Sequence, residues 1–247
     1  MPAAPWYVDA FTEAYLDVYA HRDESSAARE ARGVLNLLRL HGGKGRLLDL
    51  AAGAGRHARA FRLLRVPVTC LDLSPQLVLR CAALGLPVVR ADMRALPFAE
   101  QSFSAVACLF SSFGYFEHDE EHLRVLCEVS RVLRPGGGVL LDLMDPQTVK
   151  FTLRAQDVQQ SDGRTVEVER ALTDGGRRVE KQIRMIRDGS ATLSWRESVR
   201  LFTLDEVEGL AVRARLRLGA AFGDFDGRPH LPGETRQLVV LHKPEPS

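Results

Sequence analysis

The sequence predicts an α/β protein: a doubly wound parallel sheet with helices on both faces and a small antiparallel β insertion. Two observations predict this class. Between residues 46 and 144, short continuous apolar runs alternate with segments of helical periodicity, which is typical of parallel strands buried on both faces. Residues 164–202 instead alternate with a period of two, broken at "DGG" and "DGS", which are turn signals of β-hairpins. This second stretch is therefore expected to form an antiparallel meander.

Each element has its own signal in the chain. Residues 9–41 carry apolar side chains at a spacing close to 3.6, which predicts helical structure ahead of the sheet. Apolar runs predict strands, and the stretches between them predict helices: strands at 46–51, 66–73, 86–92, 104–110 and 138–144, helices near 55–65, 75–84 and 119–133. A helix at about 204–213 and strands at about 214–222 and 236–242 follow the meander. We interpret residues 1–247 as one domain, with an N-terminal helical cap at 1–41 and a β insertion at 150–203.

Composition and charge narrow the function classes. A formal net charge of +1 over 247 residues argues against nucleic acid or an anionic membrane surface as the main partner. The first residues lack the pattern of a signal peptide, and no segment approaches the ~20 apolar residues of a membrane span. The four cysteines stand singly on apolar segments, which favours buried thiols in a reducing compartment over metal ligands. We therefore expect a cytoplasmic protein without a metal or a membrane contact.

A glycine turn follows the first predicted strand. Residues 53–58, "GAGRHA", fit the pattern G-x-G-x-x-A, whose glycines let the backbone approach a pyrophosphate. Taken alone, the pattern suits a nicotinamide dinucleotide. Asp49 argues against that cofactor, because an unpaired carboxylate at the strand tip repels a pyrophosphate in a partly desolvated cleft. A carboxylate there suits S-adenosylmethionine, whose ammonium and sulfonium groups are both cationic.

Two further carboxylates end the next two predicted strands. Asp72 is placed to hold ribose hydroxyls, and Asp92 is placed to accept a hydrogen bond from the adenine amino group. Met93 and Leu73 are expected against the faces of the ring. Ligands of open α/β sheets bind at the carboxyl ends of strands beside the switch point, so aspartates at three successive strand ends favour a cofactor site. The alternatives are structural: Asp49 as a capping acid, Asp72 as part of the next helix start, and Asp92 as an ordinary loop residue.

Five motifs stand in one order over roughly residues 15–145: "LLDLAAGAGRHA", "VTCLDLSPQLV", "ADMRALPF", "FSAVACLFSSFGYF" and "LRVLCEVSRVLRPGGGVLLDL". Together they resemble the class I S-adenosylmethionine-dependent methyltransferases. The resemblance implies S-adenosylmethionine as the cofactor and a Rossmann-like, seven-stranded sheet of order 3-2-1-4-5-7-6, with strand 7 antiparallel. It assigns Gly53 and Gly55 to the cofactor turn, together with Ala51, where many members of the family have glycine. Phe110, at the end of the fourth strand, is assigned to the cofactor site as well.

A second resemblance is to the small-molecule branch of this family, which includes sugar-amine N-methyltransferases. It rests on "CLFSSFGYFEHDEEHL" and on the tyrosine-rich start of the chain. In such enzymes an N-terminal helix folds over the cofactor. This implies that Tyr15, Tyr19 and Arg22 reach the methionine end, with Arg22 paired to the methionine carboxylate. The alternative is an amphipathic stripe of packed tyrosines beside a solvated arginine.

Candidate catalytic residues follow the fourth and fifth predicted strands. The segment "FSSFGY" at 110–115 is expected beside the transferring methyl, where Tyr115 or His118 is a candidate base. Asp142 and Asp145 flank the end of the fifth strand, and Asp145 is a candidate to hold a cationic amine. Four residues before and at the start of the last strand are candidate substrate contacts: Asp224, Asp226, Arg228 and Arg236. For the aromatic segment, the alternative is a loop that packs its rings into the core.

The leading interpretation is a methyltransferase that acts on nitrogen or oxygen of a small molecule. Three alternatives stay open: an NAD-dependent dehydrogenase, favoured by the G-x-G-x-x-A match; a non-catalytic S-adenosylmethionine-binding protein; and a methyltransferase of tRNA or protein. The meander is expected to roof the cleft or to form a homodimer surface, because its strand edges need covering.

Overall fold

The computed structural model describes residues 5–19, 24–40, 45–161, 164–187 and 190–246. Its helices are α1 (Trp6–Asp9), α2 (Glu13–Val18), α3 (Glu24–Leu37), α4 (Arg56–Leu63), α5 (Pro75–Ala83), α6 (Asp119–Val132), α7 (Pro146–Thr152) and α8 (Leu204–Arg213). Its strands are β1 (Leu47–Leu50), β2 (Val68–Asp72), β3 (Val88–Arg90), β4 (Phe103–Cys108), β5 (Leu133–Met144), β6 (Gln156–Ser161), β7 (Arg164–Thr173), β8 (Arg178–Arg187), β9 (Ser190–Arg200), β10 (Arg217–Phe222) and β11 (Arg236–His242). Short 3-10 turns lie at Ser112–Tyr115 and Asp174–Gly176.

The main sheet has seven strands in the order β10-β11-β5-β4-β1-β2-β3. The pairs among β1 to β5 are parallel, whereas β11 runs antiparallel to both β5 and β10. Numbered within this sheet alone, the order is 3-2-1-4-5-7-6 with strand 7 antiparallel, so the expected topology is confirmed. Strand addition changes direction between β1 and β4, which opens a crevice at their carboxyl ends.

Helices cover both faces of this sheet, which explains the continuous apolar runs. Alternate residues of a strand point to opposite faces, and in β1 Leu48 packs in one buried cluster while Leu47 packs in the other. The first cluster includes side chains of α6 and α8, and the second includes side chains of α3 and α4. The doubly wound α/β architecture is therefore confirmed.

The N-terminal segment differs from the continuous helical stretch predicted over 9–41. It forms α1, α2 and α3, and residues 20–23 and 41–44 lie outside the described part of the chain. Between α1 and α2, the Phe11 carbonyl oxygen accepts a hydrogen bond from Ser74 Oγ at 2.7 Å. Trp6 and Phe11 both contact the ring of Tyr115. The chain bends because these aromatic residues pack on the carboxyl edge of the sheet while α3 packs on its face.

The insertion is a four-stranded antiparallel sheet of order β6-β7-β8-β9. The predicted meander did not include its first strand, β6, because the sequence "QDVQQS" shows little alternation of apolar and polar residues. β9 lies against the turn at Ser112–Tyr115, where a Cβ on Gly114 would be 2.6 Å from the carbonyl oxygen of Arg200. Arg178 of β8 donates to the carbonyl oxygen of Phe116 at 2.9 Å. These contacts join the insertion to the carboxyl edge of the main sheet.

Two absences hold for the described ranges. No helix within them combines the length and apolar character needed to cross a bilayer. Nor do their histidine, cysteine and acidic side chains form a group of three or more that could hold a metal ion.

Candidate active site

The turn between β1 and α4 uses left-handed backbone at three positions. Gly53 and Gly55 have φ values of +58° and +87°, which glycine adopts without steric strain. A Cβ on Gly55 would lie 2.7 Å from Leu86, so close packing excludes a side chain there. A Cβ on Gly53 would meet no described atom within 4 Å, so this side of the turn is open. Ala51 also has a positive φ, of 60°, and therefore holds the turn with some strain.

A cavity of about 610 Å³, part of it open to solvent, lies at this turn. We call it the first cavity. Its walls combine the glycine turn, the ends of β2 and β3 and aromatic residues of the N-terminal segment: Tyr7, Phe11, Tyr15, Ala51, Gly53, Leu71, Asp72, Leu73, Leu77, Ala91, Asp92, Met93, Ser112, Tyr115 and Phe116. Six residues assigned to the cofactor from the sequence share this cavity: Ala51, Gly53, Asp72, Leu73, Asp92 and Met93.

Asp72 is buried at the end of β2 and held by backbone donors. Its carboxylate accepts from the Gly53 N–H at 2.7 Å and from the Ser74 N–H at 2.9 Å. Burial raises the pKa of Asp72, and these backbone hydrogen bonds oppose the rise. A carboxylate has about four lone-pair sites, so Asp72 can accept from further donors such as ribose hydroxyls. Ser74 separately caps α5 through its side chain, so the capping and binding interpretations are compatible.

Asp49 is a buried carboxylate in β1 whose Oδ2 atom has no hydrogen-bond partner among the described residues. Burial and the nearby charge of Asp72 raise the pKa of Asp49 to about 7, against the opposing charge of Arg56. The backbone N–H of Ala58 donates to this carboxylate, but a buried carboxylate oxygen without a partner is costly, and a cation at the end of β1 would offset that cost. This feature fits the cationic methionine portion of S-adenosylmethionine and disfavours a pyrophosphate.

Asp92 also lines the first cavity, and its carboxylate is bound to Arg94. Arg94 donates to both carboxylate oxygens, at 3.0 Å from Nε and 2.6 Å from Nη2. Burial would raise the pKa of Asp92, but the hydrogen bonds and charge of Arg94 hold it below its usual value. Arg94 also pairs with Glu121 and lies over the ring of Phe116. The sequence did not indicate Arg94, and contact between Asp92 and an adenine amino group stays a prediction.

A second cavity, of about 710 Å³, adjoins the first. Tyr15 and Tyr115 line both and form the wall between them. The other lining residues come from the ends of β4 and β5, from β11 and from the insertion: Tyr19, Phe110, Ser111, Asp142, Leu143, Met144, Lys181, Glu197, Val199, Thr235 and Arg236. Tyr19 and Phe110, assigned from the sequence to the cofactor, therefore line this second cavity.

The chain leaves β4 through two left-handed residues at the edge of the second cavity. Phe110 and Ser111 have φ values of +56° and +61°, which is uncommon for residues other than glycine and clusters at functional sites. Asp142 holds this turn, since its Oδ2 accepts from the Phe110 N–H and its carbonyl oxygen accepts from the Ser111 N–H, both at 2.9 Å. Arg56 and Arg236 each lie about 5 Å from the centre of the Phe110 ring. Cation–π attraction therefore supports the strained turn.

A buried charge network lies behind that turn. Glu30 of α3 accepts from His57 Nε2 at 2.8 Å, and it pairs with Arg56 at 3.2 Å and with Arg236 at 3.4 Å. Burial would raise the pKa of Glu30, but the hydrogen bond with His57 and the cations lower it. Burial lowers the pKa of His57. The network ties α3, α4 and β11 together beneath the second cavity.

The catalytic candidates are placed differently from one another. Tyr115 lies between the two cavities. His118 is exposed and begins α6, where its backbone N–H donates to Glu121. Asp145 is buried at the start of α7, accepts from a backbone N–H at 2.6 Å and lies 3.3 Å from His230. The structure thus places Tyr115 in the walls of both cavities. His118 and Asp145 cap helices and lie outside those walls, as do Asp49 and Gly55 among the cofactor candidates. Arg22 lies outside the described residues.

Two charged residues of the second cavity were missed by the sequence reasoning. Lys181 of β8 and Glu197 of β9 are register partners and line the second cavity from the insertion. A signal was present: each is a charged residue in the apolar phase of an alternating strand, between Val179 and Ile183 in β8 and beside Val199 in β9. A charge in that phase breaks the binary pattern of a half-buried strand.

Comparisons with known proteins agree with this geometry. Residues 47–137 match a family profile described as a methyltransferase domain. The chain is 30% identical over 190 residues to the dTDP-3-amino-3,4,6-trideoxy-alpha-D-glucopyranose N,N-dimethyltransferase of Streptomyces venezuelae, covering 74% of this chain and 79% of that protein. It is 27% identical over 204 residues to the cypemycin N-terminal methyltransferase of a Streptomyces species, covering 80% and 82%. The solved structure of the sugar N-methyltransferase KedS8 from a Streptoalloteichus species is similar at a TM-score of 0.71 and 25% identity, covering 99% of this chain and 98% of that one.

Proposed function

This chain belongs to the class I S-adenosylmethionine-dependent methyltransferases, and from that premise we propose that it transfers a methyl group to the nitrogen of a small-molecule amine. The family membership makes S-adenosylmethionine the cofactor. The observation that carries the proposal is the pair of cavities that share Tyr15 and Tyr115. One cavity suits the cofactor, and the other presents phenols and buried carboxylates that suit an amine.

In the first cavity, each wall suits a different part of the cofactor. Asp72 is positioned to accept from the ribose hydroxyls, and Leu73 and Met93 are positioned to flank the adenine. Asp49 is not in these walls, and its role is to supply negative charge to the methionine portion from its buried position in β1. Bound there, S-adenosylmethionine supplies a methyl group on a cationic sulfur, already activated for in-line displacement. The aromatic side chains of the N-terminal segment, with Phe11 foremost, exclude water from the transfer.

At the shared wall, the protein's own task is to align the acceptor. The Tyr115 ring is held by Trp6 at 5.0 Å and by Phe11 at 5.3 Å between ring centres. Its hydroxyl oxygen lies 3.4 Å from Ser112 Oγ. A ring fixed in this way can orient an acceptor nitrogen without reorganising, and alignment of this kind contributes much of the rate of a displacement reaction.

Nitrogen is favoured over oxygen by the charges of the second cavity. Asp142 and Glu197 are 3% and 6% exposed and line this cavity together with their counterions, Arg236 at 3.7 Å from Asp142 and Lys181 at 3.5 Å from Glu197. Buried carboxylates attract the ammonium form of an amine and can accept the proton that its nitrogen must lose before it attacks the methyl group, whereas a neutral hydroxyl gains much less from them. The names of the relatives, which are N-methyltransferases of an amino sugar and of an N-terminus, support the same choice. The comparisons give no support to the NAD-dependent dehydrogenase.

The proposal is tested by binding and then by turnover. Calorimetry should detect binding of S-adenosylhomocysteine and no binding of NADH. The protein is next incubated with S-adenosylmethionine and a panel made of an amino-sugar nucleotide, short peptides with a free N-terminus, and the hydroxyl counterparts of each. We expect an N-methylated product by mass spectrometry. Binding of NADH alone, or methylation of the hydroxyl compounds alone, would overturn the proposal, and cofactor binding with no product from the panel would favour a non-catalytic binder.

We also propose a cytoplasmic location and a homodimer through the insertion. The four cysteines are unpaired, three of them buried, which supports a reducing compartment. The insertion exposes Val158 on its edge strand β6 and Leu193 on β9, and exposed apolar edges favour coverage by a partner. Light scattering at micromolar concentration checks the oligomeric state, and a monomer would exclude the dimer.

A further inference from the structure

The inner face of the insertion carries the ion pair of Lys181 and Glu197 between apolar side chains, with a second pair, Arg170 and Asp157, farther along the same face. In β8, Val179 and Ile183 are buried on either side of Lys181, and in β9 Val199 is buried two residues after Glu197. Lys181 and Glu197 face each other across the two strands, with 3.5 Å between Nζ and Oε2. Both side chains line the second cavity. The pair therefore faces the site where an acceptor would bind.

Stability does not explain this pair. Glu197 is buried and Lys181 is half-buried, so desolvation offsets much of their attraction, and an apolar pair of similar volume is often as stable or more so. The flanking residues of both strands show that the face accepts aliphatic side chains. A charge pair kept at this position therefore indicates a ligand with polar or charged groups in the second cavity.

The partners of Glu197 leave it able to accept one more donor. Tyr19 Oη lies 3.0 Å from Oε1 and 2.9 Å from Oε2, and Trp195 Nε1 donates to Oε1 at 3.2 Å. The single phenol hydrogen serves one oxygen at a time, and Lys181 at 3.5 Å contributes mainly charge. Since a carboxylate offers about four lone-pair sites, Oε2 has acceptor capacity on the cavity side.

We propose that Glu197 is the acceptor-binding carboxylate, which takes the cationic amine of the methyl acceptor in place of the charge of Lys181, and that Tyr19 and Trp195 hold it in position. The inference rests on the proposed function for the identity of the second cavity as the acceptor site. It gives the insertion a role in substrate selection. Because Tyr19 comes from the N-terminal segment, that segment and the insertion together form the amine-binding end.

Glu197 suits this role better than the other carboxylates near the strand ends. Asp142 accepts from the backbone N–H of Phe110 and lies 3.7 Å from Arg236, so it is committed to the strained turn. Asp145 accepts from a backbone N–H as the cap of α7. The partners of Glu197 are all side chains, which can shift when a ligand arrives.

The test measures binding without methyl transfer. The protein is loaded with S-adenosylhomocysteine, and the dissociation constants of cyclohexylammonium and cyclohexanol, two probes of similar shape, are measured by calorimetry. Wild-type protein should bind cyclohexylammonium at least about tenfold more tightly, because a hydrogen bond to a charged partner contributes about 1.5–3 kcal/mol. Glu197→Gln should abolish that preference. Equal binding of the two probes by the wild type, or a preference that survives in Glu197→Gln, would overturn the inference.

Two further variants make the comparison sharper. Glu180→Gln is the matched control, since Glu180 lies on β8 next to Lys181, points to the other face and pairs with Arg196; it should keep the preference. Lys181→Met removes the cation that competes with the ligand, so it should increase the preference, opposite in sign to Glu197→Gln. Unchanged S-adenosylhomocysteine affinity verifies the fold of each variant. If Glu197→Gln does not fold, a decreased preference in Lys181→Met refutes the inference by itself.

The outcomes separate the inference from the proposed function. A protein that methylates amines but binds both probes alike would retain the proposed function and refute the role of Glu197. A protein that selects cyclohexylammonium through Glu197 but methylates no amine of the panel would retain the role of Glu197 and refute the proposed function.

Discussion

Asp49→Asn tests the buried carboxylate in β1 through protein stability. In the folded chain, burial and the charge of Asp72 raise the pKa of Asp49 from 3.8 to about 7. Between these values the folded state keeps a proton that the unfolded chain has lost, so the free energy of unfolding falls as the pH rises from about 4 to about 7. Each pH unit in this window corresponds to about 1.4 kcal/mol. Asparagine does not ionise, so relative to the wild type the variant should gain about 2 kcal/mol between about pH 5 and about pH 7, where the folded-state carboxyl is half ionised.

The same substitution should have the opposite effect on the binding of a cationic ligand. An ammonium group near Asp49 favours the carboxylate form, so the wild type should bind S-adenosylhomocysteine about tenfold more weakly at about pH 6 than at about pH 8. At the higher pH, Asp49→Asn should weaken S-adenosylhomocysteine binding by about 10- to 100-fold. Its affinity for 5′-methylthioadenosine, which lacks the amino-acid portion, should not change.

Urea titrations at the two pH values measure the first effect, and calorimetry with the two ligands measures the second. Asp72→Asn is the matched control, because both ligands contain the ribose and both should lose affinity. Parallel pH dependence of unfolding in Asp49→Asn and wild type would refute the raised pKa. An equal loss of affinity for both ligands in Asp49→Asn would refute the cation site.

Three further substitutions test the site's geometry. Ala51→Gly removes the strain of a left-handed alanine but adds unfolded-state entropy, so the free energy of unfolding should change by less than about 1 kcal/mol. The affinity for S-adenosylhomocysteine should be retained. A tenfold loss of affinity by calorimetry would show that the alanine methyl group contacts the ligand. Gly114→Ala places a Cβ 2.6 Å from the carbonyl oxygen of Arg200, so urea denaturation should show a loss of about 2 kcal/mol, and unchanged stability would contradict the close approach of β9. Tyr115→Phe keeps the contact with Phe11 and removes the hydroxyl, so kcat should fall by about 10- to 100-fold, while the affinity for S-adenosylhomocysteine should not change. An unchanged kcat would show that the Tyr115 hydroxyl takes no part in the reaction.

The architecture could be predicted because it depends on local pattern. Strands β1, β2 and β4 are buried on both faces and therefore consist largely of consecutive apolar residues, which the sequence shows directly. The helices between them are recognised by their own periodicity. The strand order came from the family resemblance and was confirmed. The break of the N-terminal segment into three helices was not predictable from periodicity, because it depends on contacts of Phe11 and Trp6 with Tyr115, which is about a hundred residues away in the chain.

The candidate site likewise combines residues whose place the sequence could predict with residues whose place it could not. Asp72, Leu73, Asp92 and Met93 follow strands whose carboxyl ends meet at one edge, so position in the sequence was enough to bring them to one cavity. Asp145 also ends a strand, yet it caps the following helix. Strand ends are common to binding and capping aspartates, and no single residue pattern separates the two roles.

The sequence by itself determined the sheet, the glycine turn and the cofactor family, since each depends on residues close together in the chain. Only the tertiary structure decided what faces the second cavity. Glu197 and Lys181 reach it because β9 packs against the turn at 112–115, and Tyr19 reaches them from the far end of the chain. A contact over 178 residues depends on how two sheets and the N-terminal segment pack together. Local periodicity carries no information about that packing.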